Sequence, residues 1–191
     1  MRKSRQEAAE TRQRIVEAAS TEFRSNGIES TGLADLMTAA GLTHGGFYKH
    51  FDSKEQVVEE SIALGIESMV ESWRRTLSAA RPHRGLRTAI TEYLSVNHRE
   101  DVATGCPFSA LGCEMARSGD GVRESATTGF LKMIDLIAGQ LDGMTPAAAR
   151  KEALWMMSSM IGAVTMARVV TDPELSASIL RETLRHLTRP F

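Results

Sequence analysis

Apolar residues recur along nearly the whole chain at the three- and four-residue spacing of an α-helix, and this periodicity limits the possible folds most. Ile15, Ala19 and Phe23 form one such stripe, and Val58, Ile62, Ile66 and Met69 begin a longer one. The sequence shows no sustained alternation of apolar and polar residues and no Asn-Gly or Asp-Gly turn between β-branched runs. The pattern therefore predicts an all-α fold.

Glycine, proline and capping residues divide the chain into about nine predicted helices. Gly27 and Gly41 are typical helix stops, whereas Thr145-Pro146 and Asp172-Pro173 are typical helix starts. The segment 81–85 contains proline and glycine and is predicted to break the chain. The predicted helices cover about residues 6–26, 33–40, 43–50, 53–79, 86–99, 107–118, 122–141, 147–170 and 174–187.

Length and composition are those of an ordinary globular protein. The 191 residues are 42% hydrophobic and 25% charged, enough for one sizeable core or two small ones. The longest uncharged run, 153–167, is shorter than the ~20 residues of a membrane span, so we expect a buried helix and no membrane contact. The basic start lacks an apolar segment, so no signal peptide is expected. Two cysteines seven residues apart suit a reducing cytoplasm.

The stretch GLTHGGFYKHFDSK places two adjacent glycines where the flanking pattern predicts a helix. Each glycine costs a helix interior about 1 kcal/mol relative to alanine. The helices 33–40 and 43–50 with their short joint fit a helix-turn-helix, whose second helix enters the major groove of DNA. There, Gly45 and Gly46 let the backbone approach the base edges closely. The alternative is that the two glycines are only a loop between helices.

The residues around the glycines suggest separate roles. Phe47 and Phe51 are predicted to point inward and to anchor the short second helix. Tyr48, Lys49 and His50 are predicted to face phosphates, and Lys54 with the amides of the Ser53-capped helix start adds an anion site.

Residues from about 11 to 60 resemble the DNA-binding domain of the TetR family of transcriptional regulators. The most specific part is Gly46-Phe47-Tyr48-Lys49-His50-Phe51-Asp52-Ser53-Lys54-Glu55, and the segments 15–19, 23, 26–27 and 40–43 support it. The chain departs from the family at Gly32, where a branched apolar residue is usual, so the start of the second helix is expected to be looser. The resemblance implies a DNA-binding domain at 1–52 and an effector-binding and dimerisation domain at 53–191.

The resemblance also implies a homodimer that binds a palindromic double-stranded DNA operator, with half-sites about 34–36 Å apart. We expect a repressor that a small, largely hydrophobic effector releases; activation is the alternative. Thr31 matches the phosphate-contacting residue of the family. The predicted DNA-binding residues are Thr31, Thr43, His44, Gly45, Gly46, Tyr48, Lys49, His50 and Lys54.

The C-terminal two-thirds carry the candidate effector and dimer residues. An apolar cavity with few polar groups suits a hydrophobic effector, and its predicted lining is Trp73, Tyr93, Asn97, Cys106, Phe108, Met115, Phe130, Met133 and Ile134. Two apolar helices from each subunit suit a four-helix interface, predicted at Trp155, Met156, Met160, Gly162, Ala163, Met166, Ile179 and Leu184. The alternative for both sets is an ordinary intramolecular core.

Cys106 supports a second functional hypothesis. It precedes Pro107 at a predicted helix start, where the helix dipole lowers a thiol pKa, so a thiol-based redox or electrophile sensor is the alternative regulator. Cys113 is predicted to be buried. A cysteine-dependent enzyme would need Cys106 to be paired with His98 or His83 as a base, and the sequence shows no acidic residue in register to orient that histidine. A helical interaction module that does not bind DNA is a third hypothesis. No His and Cys cluster has metal-ligand spacing. We therefore expect no enzyme activity, no metal and no cofactor.

Overall fold

The computed structural model describes residues 5–79 and 82–189, and all regular structure in these ranges is helical. The prediction of an all-α fold is confirmed. The described residues form nine α-helices and one 3₁₀ helix, in the order α1 (Arg5–Asn26), α2 (Leu33–Ala39), the 3₁₀ helix (His44–Lys49), α3 (Lys54–Ser78), α4 (Pro82–Tyr93), α5 (Val96–Glu100), α6 (Pro107–Met115), α7 (Asp120–Ala138), α8 (Pro146–Val169) and α9 (Pro173–Leu187).

The joint after α2 is a tight turn that depends on one glycine. Gly41 has a φ of 69°, in the left-handed region that favours glycine. Its amide donates to the Thr38 carbonyl (2.9 Å), and the Leu42 amide donates to the Met37 carbonyl (2.8 Å). These two bonds form a Schellman motif, which satisfies the last carbonyls of α2 and turns the chain toward the 3₁₀ helix.

Two predicted helix boundaries were wrong. The segment 82–85 begins α4 instead of breaking the chain, because proline is favoured in a first helical turn. The predicted helix 86–99 is divided into α4 and α5 at Leu94 and Ser95. The Ser95 hydroxyl accepts a hydrogen bond from the His98 amide (3.1 Å) and so caps a new helix.

The predicted second helix of the helix-turn-helix is a 3₁₀ helix, shorter than expected. It covers His44–Lys49, and Thr43 stands at its N-terminal boundary without a side-chain capping bond. Two consecutive glycines weaken an α-helix, and 3₁₀ geometry is common in pieces this short.

The long helix α3 packs against α1, α4 and α7. The starts of α3 and α7 lie side by side, since a methyl group built on Gly121 would lie 2.5 Å from Glu59 Oε2. A methyl group at Gly129 on α7 would lie 2.2 Å from Ile66 Cγ2, so α3 and α7 approach each other as closely as glycine allows. Helices α8 and α9 pair with each other, and α8 also packs on α7 and α6. Within the described ranges, no helix is long and apolar enough to cross a membrane.

Candidate nucleic-acid interface and ligand cavity

The recognition segment, which we define as His44–Lys49, lies at the surface. Thr43, His44, Gly45 and Lys49 are exposed, and the Tyr48 side chain is 70% exposed. Gly46 and His50 are partly exposed. Seven of the nine predicted DNA-binding residues therefore lie within residues 43–50 and are at least partly exposed to solvent.

The two glycines of the recognition segment are not required by the fold. No heavy atom lies within 4 Å of a methyl group built on Gly45, and a methyl group on Gly46 would meet only Met37 Cε, at 3.5 Å. Neither glycine has a positive φ. Packing and backbone conformation would both accept alanine, which is the better helix former. In the described part of the chain, neither a packing contact nor the backbone conformation requires these two glycines.

Two buried phenylalanines anchor the recognition segment on the core, as predicted. Phe47 and Phe51 are buried and their rings stack at 5.6 Å. Arg12 of α1 adds a second constraint: its guanidinium lies 4.4 Å from the Phe51 ring centroid, donates to the His50 carbonyl (3.3 Å) and forms an ion pair with Glu60 of α3. Arg12 therefore ties α1, α3 and the end of the recognition segment together.

The structure corrects two predicted phosphate contacts. Thr31 is buried, and its hydroxyl donates to the Gly27 carbonyl (2.6 Å), so it supports the turn after α1 and has no surface to offer a phosphate. The Lys54 ammonium donates to the Ile28 carbonyl (2.6 Å) and lies 5.9 Å from the Phe23 ring centroid. It links the start of α3 to the turn between α1 and α2, so its first role is internal. The suspected loose start of α2 is held by Asp35, which accepts from the Gly32 amide (3.0 Å).

A cavity of about 210 Å³, which we call the central cavity, lies between α3, α4, α5 and the start of α6. Three predicted ligand residues, Trp73, Tyr93 and Cys106, line it. The prediction missed nine other lining residues, which are Ser68, Met69, Ser72, Thr76, Ala89, Glu92, His98, Thr104 and Gly105. Those on α3 follow helical spacing in the sequence and so cannot be distinguished there from core residues.

His98 closes one wall of the central cavity in a defined tautomer. Its Nε2 accepts from the Cys106 amide (3.1 Å), so its Nδ1 carries the proton and donates to the Tyr93 carbonyl (2.6 Å). Burial lowers the His98 pKa, and the nearby Arg168 lowers it further. The ring is therefore neutral and joins the end of α4 to the start of α6.

Cys106 does not match the predicted reactive thiol. The side chain is buried at the N-terminal boundary of α6, and burial raises the pKa of its thiol, an effect that the adjacent Tyr93 and Ser109 offset only in part. The prediction of a lowered pKa was wrong because loss of solvent outweighs the helix dipole. Cys113, predicted to be buried, is exposed. His98 is occupied by backbone groups, and the His83 side chain lies outside the part that the structure describes.

The other predicted ligand residues lie away from the central cavity. Phe108 and Phe130 contact each other edge to face at 5.5 Å, while Met115, Met133 and Ile134 are buried in the core. Asn97 is exposed on α5. These residues do not line the cavity with Trp73 and Tyr93, and their role in ligand binding stays a prediction.

The predicted dimer residues fall into two groups. Met156, Met160 and Ala163 face the interior of a single chain and are buried there, so their place in an interface was wrong. Trp155, Gly162 and Met166 are exposed on the opposite side of α8, and Ile179 and Leu184 of α9 are partly exposed. Exposed Leu154, Val169 and Leu175 extend this apolar surface.

One contact joins the helix-turn-helix directly to the helix that begins at the central cavity. The Glu114 carboxylate of α6 accepts from the backbone amides of Ile28 (2.7 Å) and Glu29 (3.3 Å), in the turn between α1 and α2. Arg24 of α1 donates to the Ala103 carbonyl (2.6 Å), just before α6. The loop before α6 and the end of α6 therefore both contact the helix-turn-helix. No pattern in the sequence indicates that Glu114 pairs with a turn about 85 residues earlier.

Comparison with known proteins identifies both parts of the chain. Residues 15–61 match the model of bacterial regulatory proteins of the tetR family, and residues 82–177 match the C-terminal domain model of LmrA/YxaF-like transcriptional regulators. The probable acrEF/envCD operon repressor of Escherichia coli K12 is 37% identical over 82 residues, which are 43% of this chain and 37% of that protein. The chain spans between 27% and 37% of the length of the first curated relatives that it matches.

Solved structures share the fold over nearly the whole chain. A TetR transcriptional regulator from Chloroflexus aurantiacus has a TM-score of 0.79 and 25% identity, with 96% of this chain and 94% of that chain covered. AibR in complex with isovaleryl coenzyme A and operator DNA has a TM-score of 0.64 and 18% identity, with 95% and 100% covered. The family consists of transcriptional regulators and not enzymes. With its helix-turn-helix, its helical C-terminal part and these matches, the chain belongs to the TetR family of bacterial regulatory proteins.

Proposed function

We propose that the chain is a ligand-responsive transcriptional repressor that acts in the cytoplasm and binds a palindromic operator as a homodimer. The observation that carries this proposal is the exposed glycine pair of the recognition segment. The fold does not need Gly45 or Gly46, and both reduce helix stability. A close approach of DNA to the backbone gives them a purpose.

The proposed contacts divide by role. His44, Gly45 and Gly46 lie on the first turn of the recognition segment and approach the base edges, which sets the sequence preference. Tyr48, Lys49 and His50 follow and contact phosphates, which sets the register. Phe47, Phe51 and Arg12 keep the segment rigid so that these contacts form together.

The exposed apolar face of α8 and α9 supports the homodimer. Trp155 is 52% exposed, and Met166, Val169 and Leu175 are also exposed on these two helices. Large apolar side chains grouped on one surface are typical of protein–protein contacts. Two such helix pairs give the four-helix interface that we propose, with Gly162 allowing the α8 helices to approach closely.

Two connections support a coupling between effector and DNA. Helix α3 carries Met69 and Trp73 in the central cavity and begins beside the recognition segment. Helix α6 begins at Cys106 in the cavity wall, and its Glu114 holds the turn between α1 and α2. A molecule that changes the cavity would shift both supports of the helix-turn-helix. The coupling free energy is expected to be about 1–3 kcal/mol, as in other allosteric proteins.

DNA binding is tested by selecting bound sequences from a random pool and comparing wild type with Gly45→Ala. We expect wild type to enrich a palindrome, and Gly45→Ala to bind it at least about ten-fold more weakly with an unchanged or higher melting temperature. Gly112→Ala is the matched control, since Gly112 is equally exposed and open but lies on α6. Full affinity and unchanged base preference in Gly45→Ala would contradict the proposal.

The dimer is tested by sedimentation of Trp155→Glu. A buried charge opposite an apolar partner face should dissociate the dimer. Leu131→Glu is the control, because Leu131 is 45% exposed on α7, outside the proposed interface. A monomeric wild type, or a Trp155→Glu protein that stays dimeric, would refute the interface.

A further inference from the structure

Polar side chains form a ring of hydrogen bonds around the link between the recognition segment and α3. The Asp52 amide donates to Gln56 Oε1 (3.0 Å), and Gln56 Nε2 donates to Glu60 Oε1 (3.2 Å). The two carboxylate oxygens of Glu60 accept from the two terminal nitrogens of Arg12, and Arg12 Nε donates to the His50 carbonyl (3.3 Å). We call these five residues with their bonds the linker ring.

The recognition segment depends on contacts outside itself for its direction. It is a 3₁₀ helix of six residues, and the internal hydrogen bonds of such short helices have poor geometry. A methyl group built on Gly45 would meet no heavy atom of the described chain within 4 Å, so the glycine pair adds no packing there. Phe47 and Phe51 fix the depth of the segment by burial, but apolar contacts are non-directional. Directional bonds at the end of the segment are therefore needed to set its angle to α3.

The linker ring supplies these directional bonds from two helices at once. Gln56 and Glu60 lie one turn apart on α3, whereas Arg12 lies on α1. A guanidinium and a carboxylate that pair through two bonds have a defined mutual orientation. The same guanidinium lies 4.4 Å from the ring centroid of Phe51, which stands between the two ends of the linker ring in the sequence. Loss of one member would shift the end of the recognition segment and leave the buried core in place.

The charges within the linker ring cancel. Arg12 and Glu60 form an ion pair in which 35% and 32% of the side chains are exposed. The pair therefore brings no net charge to a DNA phosphate, and an ion pair this exposed contributes little to stability. Its place at the end of the recognition segment indicates a role in orienting that segment.

We propose that Glu60 and Gln56 are positioning residues for operator recognition: they orient the recognition segment through the linker ring and do not contact DNA. This inference rests on the proposed function, because it treats the recognition segment as the reader of the operator. The linker ring holds the segment at the angle from which its first turn reaches the base edges. Attraction to phosphates needs no such angle. Loss of the linker ring therefore lowers the affinity for the operator and spares the affinity for other DNA.

The main test is Glu60→Gln, measured on the selected operator and on a random-sequence duplex of equal length. The substitution places an N–H group where a carboxylate oxygen accepted a bond, and it removes one negative charge. We expect operator affinity to fall about ten-fold, as for a lost hydrogen bond to a charged group, and random-duplex affinity to stay equal or rise. Partial unfolding would weaken binding to both duplexes, and the change of charge alone would strengthen both. A loss confined to the operator therefore identifies the positioning role.

Glu59→Gln is the matched control. It makes the same change of charge one residue earlier on α3, but the Glu59 carboxylate lies against α7, where a methyl group built on Gly121 would be 2.5 Å from its Oε2. In this variant both affinities should stay equal or rise together.

The mode of action is tested with Arg12→Met, alone and combined with Glu60→Gln. If Glu60 acts through Arg12, the double variant binds the operator as Arg12→Met alone does. The slope of log affinity against log salt should keep its wild-type value in Arg12→Met, because no phosphate contact is lost. Without DNA, Gln56→Met should make the Asp52 amide exchange its hydrogen faster, because the side-chain acceptor of that amide is removed.

Several results would overturn the positioning role while leaving the proposed function intact. They are an operator affinity of Glu60→Gln that equals or exceeds that of wild type, an equal loss on both duplexes, and additive losses in the double variant. A salt slope lowered by about 1 in Arg12→Met would make Arg12 a phosphate contact instead. Unchanged exchange of the Asp52 amide in Gln56→Met would show that the linker ring does not form in solution. A wild type that selects no operator would refute the proposed function itself, and this inference with it.

Discussion

The recognition segment and the central cavity each contain a feature that reduces the stability of the isolated chain, but the two features differ in depth. Gly45 is at the surface, where it weakens a short helix and meets no other atom. The Tyr93 hydroxyl is in the interior, where it lacks a partner. At the surface the missing group is a side chain, which leaves room for another molecule. In the interior it is a hydrogen-bond acceptor for the Tyr93 hydroxyl.

The largest expected change in stability distinguishes the buried Phe47 of the recognition segment from its exposed neighbour Tyr48. Phe47→Ala should lower the free energy of unfolding by about 3–5 kcal/mol, because a fully buried aromatic ring is lost. Tyr48→Ala, next to it and 70% exposed, should change it by less than about 0.5 kcal/mol. Chemical denaturation measures both. Similar losses of unfolding free energy in the two variants would contradict a recognition segment with Phe47 buried and Tyr48 exposed.

The second effect concerns the link between the two regions. Glu114→Ala removes an acceptor shared by the amides of Ile28 and Glu29. Because hydrogen bonds to a charged group in a partly exposed site are weakened by water, we expect a loss of about 1 kcal/mol. The response of operator affinity to a cavity ligand should also decrease.

The control for this link is Glu124→Ala, which removes an exposed carboxylate from α7. Operator titrations with and without a ligand of the central cavity measure the coupling in both variants. An identical ligand response in Glu114→Ala and wild type would show that α6 does not transmit the signal.

A third effect has the opposite sign and tests the interior feature alone. Tyr93→Phe should raise the free energy of unfolding by about 1 kcal/mol, because an unpaired buried hydroxyl is removed and the ring stays. Thermal unfolding without ligand measures it. A clear loss of stability would indicate that the Tyr93 hydroxyl has a hydrogen-bond partner in solution and does not destabilise the isolated chain.

The smallest effect is a pH dependence at the cavity wall. His98 is neutral in the fold, and its lowered pKa means that the unfolded chain binds more protons below about pH 7. Stability is therefore complete above the unfolded pKa of about 6.5 and decreases as the pH falls toward the folded pKa. Between pH 7.5 and 6.0 this loss amounts to at most about 0.8 kcal/mol.

The measurement compares wild type with His98→Gln, since the difference removes the contribution of the other histidines. Cys106, Tyr93, Arg168 and Asp101 are the groups that act on the ring. Parallel stability curves for the two proteins from pH 7.5 to 6.0 would show that His98 does not act as a neutral bridge.

The sequence predicted the recognition segment better than the cavity because the first is local and the second is not. Gly41, Phe47, Phe51 and Ser53 lie within 13 residues, and each has a recognisable role in a turn, core or cap. The cavity combines positions from α3, α4, α5 and the loop before α6. The break at Ser95 has a local cause, the serine cap on the His98 amide, whereas the contacts of the His98 ring with Tyr93 and Cys106 could not be read from the sequence.

Helix α8 shows a second limit of sequence analysis. Apolar residues occur on both of its faces, so periodicity could not tell which face packs within the chain. The structure places Met156, Met160 and Ala163 inside and Trp155 and Met166 outside. Thr31 and Lys54 show the same limit for polar groups, because each finds a backbone carbonyl that is remote in sequence or hidden in a turn.

The length of α3 has a mechanical consequence. Its 25 residues extend about 37 Å, at 1.5 Å per residue. With its C-terminal end at Ser78 as a pivot, a tilt of only about 5° would carry the other end about 3 Å sideways, close to the ~3.4 Å step between base pairs. A small tilt of this one helix is thus large enough to move the proposed recognition segments of a homodimer out of register with DNA.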